Sequence, residues 1–172
     1  MKNIKDKRIG LLFDSIRSPY DIANVLQVAI ALDCDLYTSG TCLEFDHKKI
    51  RGKVMSWRCT KYPVVKHYPK IEDAIIDLKS QGNLVIGTSP QANNDFYAID
   101  AVKNDIIVVF GNESSGLSKN AMQMLDGVVK IPMQNLGFLT LSIVVPAIAY
   151  ELNRQIELAQ KKTLNSEIEM EL

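Results

Sequence analysis

The sequence predicts an α/β fold in which a mostly parallel sheet is flanked by helices. Two observations predict it. Short apolar runs, of which residues 105–110 (DIIVVF) are the clearest, have the length of buried strands. Between them lie segments whose apolar residues recur every three or four positions, as they do in amphipathic helices. Such alternation indicates helices that connect parallel strands.

The first elements are a strand, a capped helix and a second strand. Residues 8–14 (RIGLLFD) form an apolar run that ends on a polar residue, which is typical of a buried parallel strand. The turn that begins at Ser18 predicts an N-cap and a helix. Residues 35–38 predict a second strand, whereas residues 42–61 have no clear pattern. The apolar face of the predicted helix comprises Ile22, Val25, Leu26, Ala29 and Ile30.

The same alternation continues to the last helix. Further strands are predicted at residues 63–68, 83–88, 105–110 and 128–131. Helices are predicted over residues 69–82 and 118–125, with Ser118 as the cap of the second, and from Leu141 to about Ala159. The chain beyond Lys161 is polar and acidic and is predicted to fray. We therefore expect one domain over residues 1–160 and a tail over residues 161–172.

Composition favours a cytoplasmic globular protein without a membrane segment. Of the 172 residues, 47% are hydrophobic and 23% are charged, which is ordinary for a globular domain. Residues 1–10 lack the apolar core of a signal peptide. The most apolar stretch, residues 139–152, is shorter than the ~20 residues that span a bilayer and contains Pro146.

The cysteines indicate reduced thiols rather than a metal site. Cys34, Cys42 and Cys59 are odd in number and have no C-x-x-C spacing. Their spacing to His47 and His67 matches no common zinc pattern. We therefore predict no metal.

Charge is unevenly distributed along the chain. The formal net charge is zero, yet the segment from His47 to Lys70 carries eight Lys and Arg residues and no Asp or Glu. Such a segment can bind phosphates, and Trp57, Tyr62 and Tyr68 within it can stack on bases. The alternative is a solvated loop with Trp57 in the core, and the sequence leaves both open.

The loop over residues 111–118 (GNESSGLS) is the first candidate binding site, because ligands of parallel sheets bind beyond the carboxyl ends of strands. Its glycine spacing resembles that of a phosphate-binding P-loop. Leu117 occupies the position of the essential lysine, however, and Glu113 would repel a phosphate. A cationic sulfonium cofactor tolerates this carboxylate, and glycines allow its close approach to the backbone. The alternative is a capped strand–helix turn. The same rule draws attention to the loops after Asp14, Thr88 and Ile131.

The string F-G-N-E-S-S-G-L-S at residues 110–118, the string V-K-I-P-M at 129–133 and the apolar helix through A-Y-E at 149–151 together resemble the SpoU-type (TrmH-like) branch of the SPOUT methyltransferases. The resemblance implies a C-terminal trefoil knot, a homodimer and an S-adenosylmethionine site in the knot loops. It also implies that the substrate is an RNA, either tRNA or rRNA. By resemblance, the cofactor is bound by Thr88, Gly111, Asn112, Ile131, Met133, Leu139 and Leu141.

Two motifs depart from the family pattern. The family has an Asn, a Gly two residues later and an Arg four after that, where this chain has Asp21, Ala23 and Gln27. The family's last motif, S-L-N-x-S, matches residues 138–142 with Thr140 for Asn. The loop at residues 134–137 is also one residue shorter than expected. Gln27 cannot carry the charge of the family's Arg.

Five residues are therefore candidates for catalysis. Glu113 falls on the family's motif glutamate. Asp21 is the preferred general base, although it equally suits the first turn of a helix. Arg17 can supply a positive charge or can be a solvated loop residue. Thr140, with Ser142, can bond the cofactor or ribose or can cap the last helix. Gln27 occupies the place of the missing Arg.

The leading functional hypothesis is transfer of a methyl group to a ribose 2′-hydroxyl of RNA, a group that distinguishes RNA from DNA. The changes at Ala23, Gln27 and Thr140 leave open an RNA-binding relative with impaired catalysis, or methyl transfer to another RNA atom. A fourth possibility is an unrelated, flavodoxin-like nucleotide-binding module.

Overall fold

A computed structural model describes residues 7–58 and 62–170, without the side chains of residues 166–170. The strands are β1 (Ile9–Asp14), β2 (Asp35–Ser39), β3 (Val65–Tyr68), β4 (Leu84–Thr88), β5 (Asn94–Asp95), β6 (Ile106–Phe110) and β7 (Gly127–Lys130). The helices are α1 (Pro19–Ala31), α2 (Lys48–Ser56), α3 (Ile71–Ser80), α4 (Lys119–Met124) and α5 (Leu141–Met170). A 3-10 turn occupies Phe96–Ala98.

The seven strands form one sheet in the order β3-β2-β1-β6-β4-β7-β5, and every strand pair is parallel. This confirms the predicted fold class. The predicted strands are all present, with ends that differ by one or two residues. The short β5 was not predicted.

Both faces of the sheet are covered by helices, which explains the unbroken apolar runs in the central strands. Leu11 and Phe13 of β1 pack with α1, α2 and α5, whereas Leu12 packs on the opposite face with α3 and α4. Phe13 and Phe110, which are paired across β1 and β6, stack with ring centroids 5.3 Å apart. The carboxyl ends of these central strands therefore lie on a rigid base.

Helix ends follow from local capping. Ser18 accepts a hydrogen bond from the Asp21 N–H, and Ser118 accepts one from the Ala121 N–H, so both predicted caps are confirmed. Within residues 42–61, to which the sequence assigned no element, the structure has α2, whose Ile50 and Val54 are buried.

The cysteines are free thiols where the structure describes them: Cys34 is buried and Cys42 is half-buried. Cys59 lies outside the described residues.

The last helix is longer than predicted. It continues to Met170, so the predicted end near Ala159 is wrong. The fraying of the segment beyond Lys161 stays a prediction. Residues 157–162 (ELAQKK) are strong helix formers, and Thr163 Oγ1 donates to the Ala159 carbonyl one turn earlier. Intrinsic propensity therefore extends the helix after its apolar face has ended.

We predict that Val109→Ala, in the middle of β6, lowers the free energy of unfolding by about 2 kcal/mol, because two methyl-sized groups leave a fully buried site and a cavity remains. Urea denaturation measures this change. Val64→Ala is the matched control, since Val64 is 82% exposed. Equal losses from both substitutions would contradict the central place of β6 in the core.

Candidate active site at the carboxyl edge of the sheet

A cavity of about 460 Å³ opens where β4, β6 and β7 end. Three chain segments surround it: the residues after β4, the turn after β6 and the stretch from the end of β7 into α5. The structure thus brings together residues that are far apart in the sequence, from Thr88 to Ile148. All seven residues predicted to bind a cofactor line this cavity: Thr88, Gly111, Asn112, Ile131, Met133, Leu139 and Leu141.

The turn after β6 requires glycine at its first position. A Cβ on Gly111 would lie 2.4 Å from both the Gly116 carbonyl carbon and the Leu117 nitrogen, so a side chain there would collide with backbone. Gly116 has a φ of +66°, a conformation that favours glycine. The Gly116 N–H donates to the Asn112 carbonyl and closes the turn. The two glycines therefore make a compact wall of backbone.

Asn112 connects this turn to the loop after β1. Its Nδ2 donates to the Ser15 carbonyl over 2.9 Å. Its Oδ1 accepts from the Ser114 N–H over 3.0 Å and from the Ser115 N–H over 3.3 Å. The amide of Asn112 is thus occupied within the protein, and this residue reaches the cavity as part of the wall.

The loop after β1 is held in place by hydrogen bonds to Ser39 of β2. The fully buried Ser39 hydroxyl donates to Asp14 Oδ1 over 2.9 Å, and the Ser15 N–H donates to the Ser39 carbonyl. Ser15 has a φ of +55°, and a Cβ on Gly40 would lie 2.4 Å from Ser15 Oγ. The ends of β1, β2 and β6 are therefore joined by hydrogen bonds into one edge.

Glu113 projects from the turn and is one of two charged residues that line the cavity, together with Lys130. Its side chain is exposed and forms no hydrogen bond or ion pair within the described part of the chain. A free carboxylate favours a positively charged ligand group close to Glu113.

The opposite wall has free backbone groups. Across residues 133–139 no N–H donates to another group of the described chain, and the loop has no regular structure. The side chains of Met133 and Leu139 are half-buried at the cavity. The wall thus combines apolar contacts with backbone donors that a ligand can use.

The remaining predicted catalytic residues lie outside the cavity lining. Asp21 is half-buried in the first turn of α1, and Arg17 is exposed in the loop before it. Thr140 precedes α5, where its hydroxyl pairs with Ser142 Oγ over 2.9 Å and its carbonyl accepts from the Ile143 N–H. Gln27 is exposed two turns along α1 and lines a different depression, with Arg8 and Trp57. Within one copy of the chain, Gln27 and Glu113 therefore line different cavities.

The basic segment divides into parts with different surroundings. The cations of α2 are exposed, whereas Lys66 pairs with Asp77 over 2.8 Å. This pairing holds the pKa of Asp77 down at about 2.

The aromatic residues of the segment are largely engaged within the protein. Tyr68 is buried and donates to Asp77, so it is not free to stack on a base. Trp57 and Tyr62 are half-buried against the core, and Tyr62 donates to the Phe45 carbonyl. Lys61 lies outside the described residues.

Several cavity residues were not predicted. Ser89, Gln91 and Lys130 line the cavity beside Thr88 and Ile131. They lie at or within three residues of the ends of β4 and β7, so the rule that ligands bind at carboxyl ends was sufficient to find them. Among the described residues, no three His, Cys, Asp or Glu side chains are grouped as metal ligands. No helix in the same residues is long and apolar enough to cross a membrane.

The sequence pattern of the SpoU rRNA Methylase family matches residues 8–138, which include β1, the Gly111 turn and most of the cavity. The chain belongs to the SpoU methylase family. This membership agrees with the resemblance found at residues 110–118 and excludes the unrelated flavodoxin-like module.

Named relatives and solved structures agree with this family. The tRNA (guanosine(18)-2′-O)-methyltransferase of Thermus thermophilus is 26% identical over 154 residues, covering 86% of this chain and 75% of that protein. An uncharacterised tRNA/rRNA methyltransferase of Synechocystis is 26% identical over 151 residues, covering 86% of this chain and 54% of that protein. The crystal structure of the SpoU methyltransferase AviRb from Streptomyces viridochromogenes has a TM-score of 0.72 and 26% identity, covering 88% of this chain and 61% of that one.

AviRb has also been crystallised in complex with AdoMet, and that structure has a TM-score of 0.74 and 24% identity to this chain. The chain spans 54% of the Synechocystis relative and 61% of AviRb. The shared part is the SpoU fold.

We predict that Gly111→Ala lowers the free energy of unfolding by about 1–3 kcal/mol, because the added Cβ forces the turn after β6 to open. Thermal or urea denaturation measures the loss. Gly52→Ala is the control: Gly52 lies in α2 with nothing within 4 Å of its added Cβ, so alanine there should raise stability by about 0.5–1 kcal/mol. A stable Gly111→Ala protein would show that the turn tolerates a side chain.

Proposed function

We propose that this SpoU protein is an S-adenosylmethionine-dependent RNA methyltransferase that acts on a ribose 2′-hydroxyl of tRNA or rRNA. The observation that carries this proposal is the meeting of the Gly111 turn and residues 131–141 around one cavity. Relatives named as 2′-O-methyltransferases of tRNA and rRNA support the substrate and the acceptor atom.

The cavity suits S-adenosylmethionine in size and chemistry. Its volume of about 460 Å³ falls in the range of small-molecule sites. The unpaired backbone donors of residues 133–139 suit the polar edges of an adenosine, and Met133 and Leu139 provide apolar contact. The Glu113 carboxylate suits a positive charge. The residues that would hold the cofactor are the seven predicted ones: Thr88, Gly111, Asn112, Ile131, Met133, Leu139 and Leu141.

When bound, S-adenosylmethionine supplies a methyl group on a cationic sulfur. The chain's own residues must orient the ribose and accept its proton. Asp21, at the start of α1 beyond the end of β1, is the proposed proton acceptor. Arg17 supplies a positive charge from the same loop, and the paired hydroxyls of Thr140 and Ser142 orient the substrate. Gln27 has no part in a site formed by one chain.

A C-terminal knot and a homodimer belong to the same proposal. The segment from β7 to α5 closes the cavity against the Gly111 turn, which suits the threaded loops of the SPOUT fold. Large apolar side chains are exposed beside this segment: Leu136, Phe138, Ile143 and Tyr150. Ile143 and Tyr150 are seven residues apart and share one face of α5. A second copy of the chain would cover this surface. Because tRNA and rRNA are the substrates, we place the enzyme in the cytoplasm.

The neutral Gln27 favours a second candidate, an RNA-binding SpoU protein with impaired catalysis or with a different acceptor atom. Three measurements separate these possibilities. Calorimetric titration with S-adenosylhomocysteine tests the cavity. Transfer of a tritiated methyl group to bulk tRNA and rRNA tests catalysis. Resistance of the modified linkage to alkaline hydrolysis distinguishes a 2′-O-methyl group from a methylated base.

We predict that S-adenosylhomocysteine binds, that the tritiated methyl is transferred and that the product resists alkali. Absence of binding contradicts the proposed cofactor. Binding without transfer supports the impaired protein, and a methylated base supports the other acceptor.

At the residue level, we predict that Asp21→Asn lowers turnover by about 100-fold or more, because the proton acceptor is lost, while affinity for S-adenosylhomocysteine is unchanged. Glu113→Gln should lower turnover and should weaken binding of the cationic S-adenosylmethionine more than binding of S-adenosylhomocysteine, whose sulfur is neutral, since Glu113 lines the cavity. Asp73→Asn is the matched control, an exposed carboxylate in the first turn of α3. Normal turnover in Asp21→Asn removes Asp21 from the mechanism.

For the dimer, we predict that Ile143→Glu produces a monomer, because a charge would be buried in the interface. Sedimentation velocity measures the mass. Ile76→Glu is the matched control: Ile76 is 59% exposed on α3, on the other side of the sheet, and its substitution should leave a dimer. A wild-type monomer, or a dimeric Ile143→Glu protein, would contradict the proposed interface.

A further inference from the structure

Helix α2 carries positive charge that the protein does not neutralise. Lys48, Lys49, Arg51 and Lys53 are all exposed, and none forms a salt bridge within the described residues. Lys49 and Lys53 are four residues apart and lie on the side of α2 that faces α1, whereas Arg51 lies over the Tyr62 ring on the other side. The charge near α1 is therefore available to a partner.

Tyr20 is an exposed aromatic ring beside this charge. It lies in the first turn of α1 and is 65% exposed. Lys53 Nζ lies 5.3 Å from the centroid of the Tyr20 ring and 6.0 Å from that of the Trp57 ring. Trp57 is half-buried against the core, whereas Tyr20, with Lys53 over one face of its ring, is the more exposed of the two rings. An aromatic ring next to an unpaired ammonium suits a base and its phosphate together.

This surface is continuous with the proposed active site. Tyr20 follows the loop after β1, and the Ser15 carbonyl of that loop is bonded to Asn112, the neighbour of Glu113. Arg17 lies between Ser15 and Tyr20, is exposed, and forms no hydrogen bond or ion pair within the described part of the chain. A strand that crosses Lys53 and Tyr20 can therefore continue past the exposed Arg17 toward the Glu113 turn.

We propose that Arg17, Tyr20, Lys49 and Lys53 form a binding platform for an unpaired stretch of the substrate RNA. One base stacks on Tyr20, and the flanking phosphates lie against Lys49 and Lys53. The platform leads the strand past Arg17 to the target ribose. This inference rests on the proposed function, since it names the form in which that RNA is bound.

An unpaired strand fits this surface better than a duplex or an acidic protein. A base within a helix has its faces covered by its neighbours, whereas a base in a loop can stack on a tyrosine ring. The carboxylates of an acidic protein would bind to the lysines and would gain little from the Tyr20 ring. The platform therefore predicts a preference for single-stranded RNA that depends on the ring.

We test the platform by fluorescence anisotropy with a labelled 12-nucleotide RNA of mixed sequence, free or annealed to its complement. The 172-residue protein should bind the free strand more tightly. Tyr20→Ala should weaken this binding by about 5- to 150-fold, the effect of losing one base–aromatic stack. Tyr20→Phe should bind as wild type, because the ring remains. Lys53→Gln should reduce the salt dependence by about 0.7 in logarithmic slope, as expected for one phosphate contact on a single strand.

Two matched controls separate the platform from general surface effects. Tyr97 is 64% exposed and lies next to β5, away from α2, so Tyr97→Ala should leave RNA affinity unchanged. Lys103 is exposed and paired with Asp100, so Lys103→Gln should leave the salt slope unchanged. An unaltered circular dichroism spectrum and melting temperature of Tyr20→Ala verify that this variant is folded.

Wild-type affinity of Tyr20→Ala for the free strand overturns the platform, and so does equal binding of strand and duplex. A loss of polyglutamate binding in Tyr20→Ala equal to its loss of RNA binding would show a general anion surface and overturns it too. None of these results depends on the cofactor. The proposed methyltransferase fails separately, by absence of S-adenosylhomocysteine binding, while the platform can still bind RNA.

Discussion

The cavity depends on the close contact between Gly111 and the backbone of Gly116 and Leu117. No side chain fits between them, because an added Cβ would lie 2.4 Å from two backbone atoms. This contact turns the chain sharply at the end of β6, and the Asn112 amide then fixes the turn to the loop after β1. The result is a wall whose shape is set by backbone, with Glu113 as its one acidic side chain. A wall of this kind can be complementary to a ligand before the ligand arrives, which lowers the cost of binding.

The sheet explains why this contact is placed correctly. Its central strands are buried on both faces, so their ends cannot shift without disturbing two hydrophobic clusters. The parallel order collects the ends of β1, β6, β4 and β7 along one edge, where three separate chain segments form the cavity. The buried hydrogen bond from Ser39 to Asp14 extends the same edge toward β2. Rigid strands thus hold the loops on which the chemistry depends.

Features that depend on local sequence patterns were predictable, whereas features that depend on contacts with distant residues were not. Residues 8–14 and 105–110 were recognisable as strands because burial on both faces leaves a continuous apolar run. The seven cavity residues were found because they follow strand ends and match a family motif. The environment of Tyr68 was not predictable, since its ring packs in a hydrophobic cluster and its hydroxyl donates to Asp77, which lies in the following helix. The length of α5 was underestimated because the apolar face ends before the helix-forming residues do. Knot, dimer and catalytic roles remain predictions.

The neutral Gln27, which departs from the family pattern, and the exposed cations of α2 together determine where the protein presents positive charge. A guanidinium at position 27 would lie on the third turn of α1, and this chain has a neutral amide there, in a depression away from Glu113. The unpaired cations lie instead at Arg17 and along α2, on both sides of the first turn of α1 that carries Asp21 and Tyr20. Because these 172 residues have no net charge, the proposed RNA binding would rely on this local concentration of charge rather than on long-range attraction. On the proposed platform, binding would be strongly reduced by salt, and its orientation would be fixed by the aromatic ring rather than by charge alone. An arrangement in which the same helix turn presents the ring and the carboxylate couples recognition of the RNA to the place where its proton would be accepted.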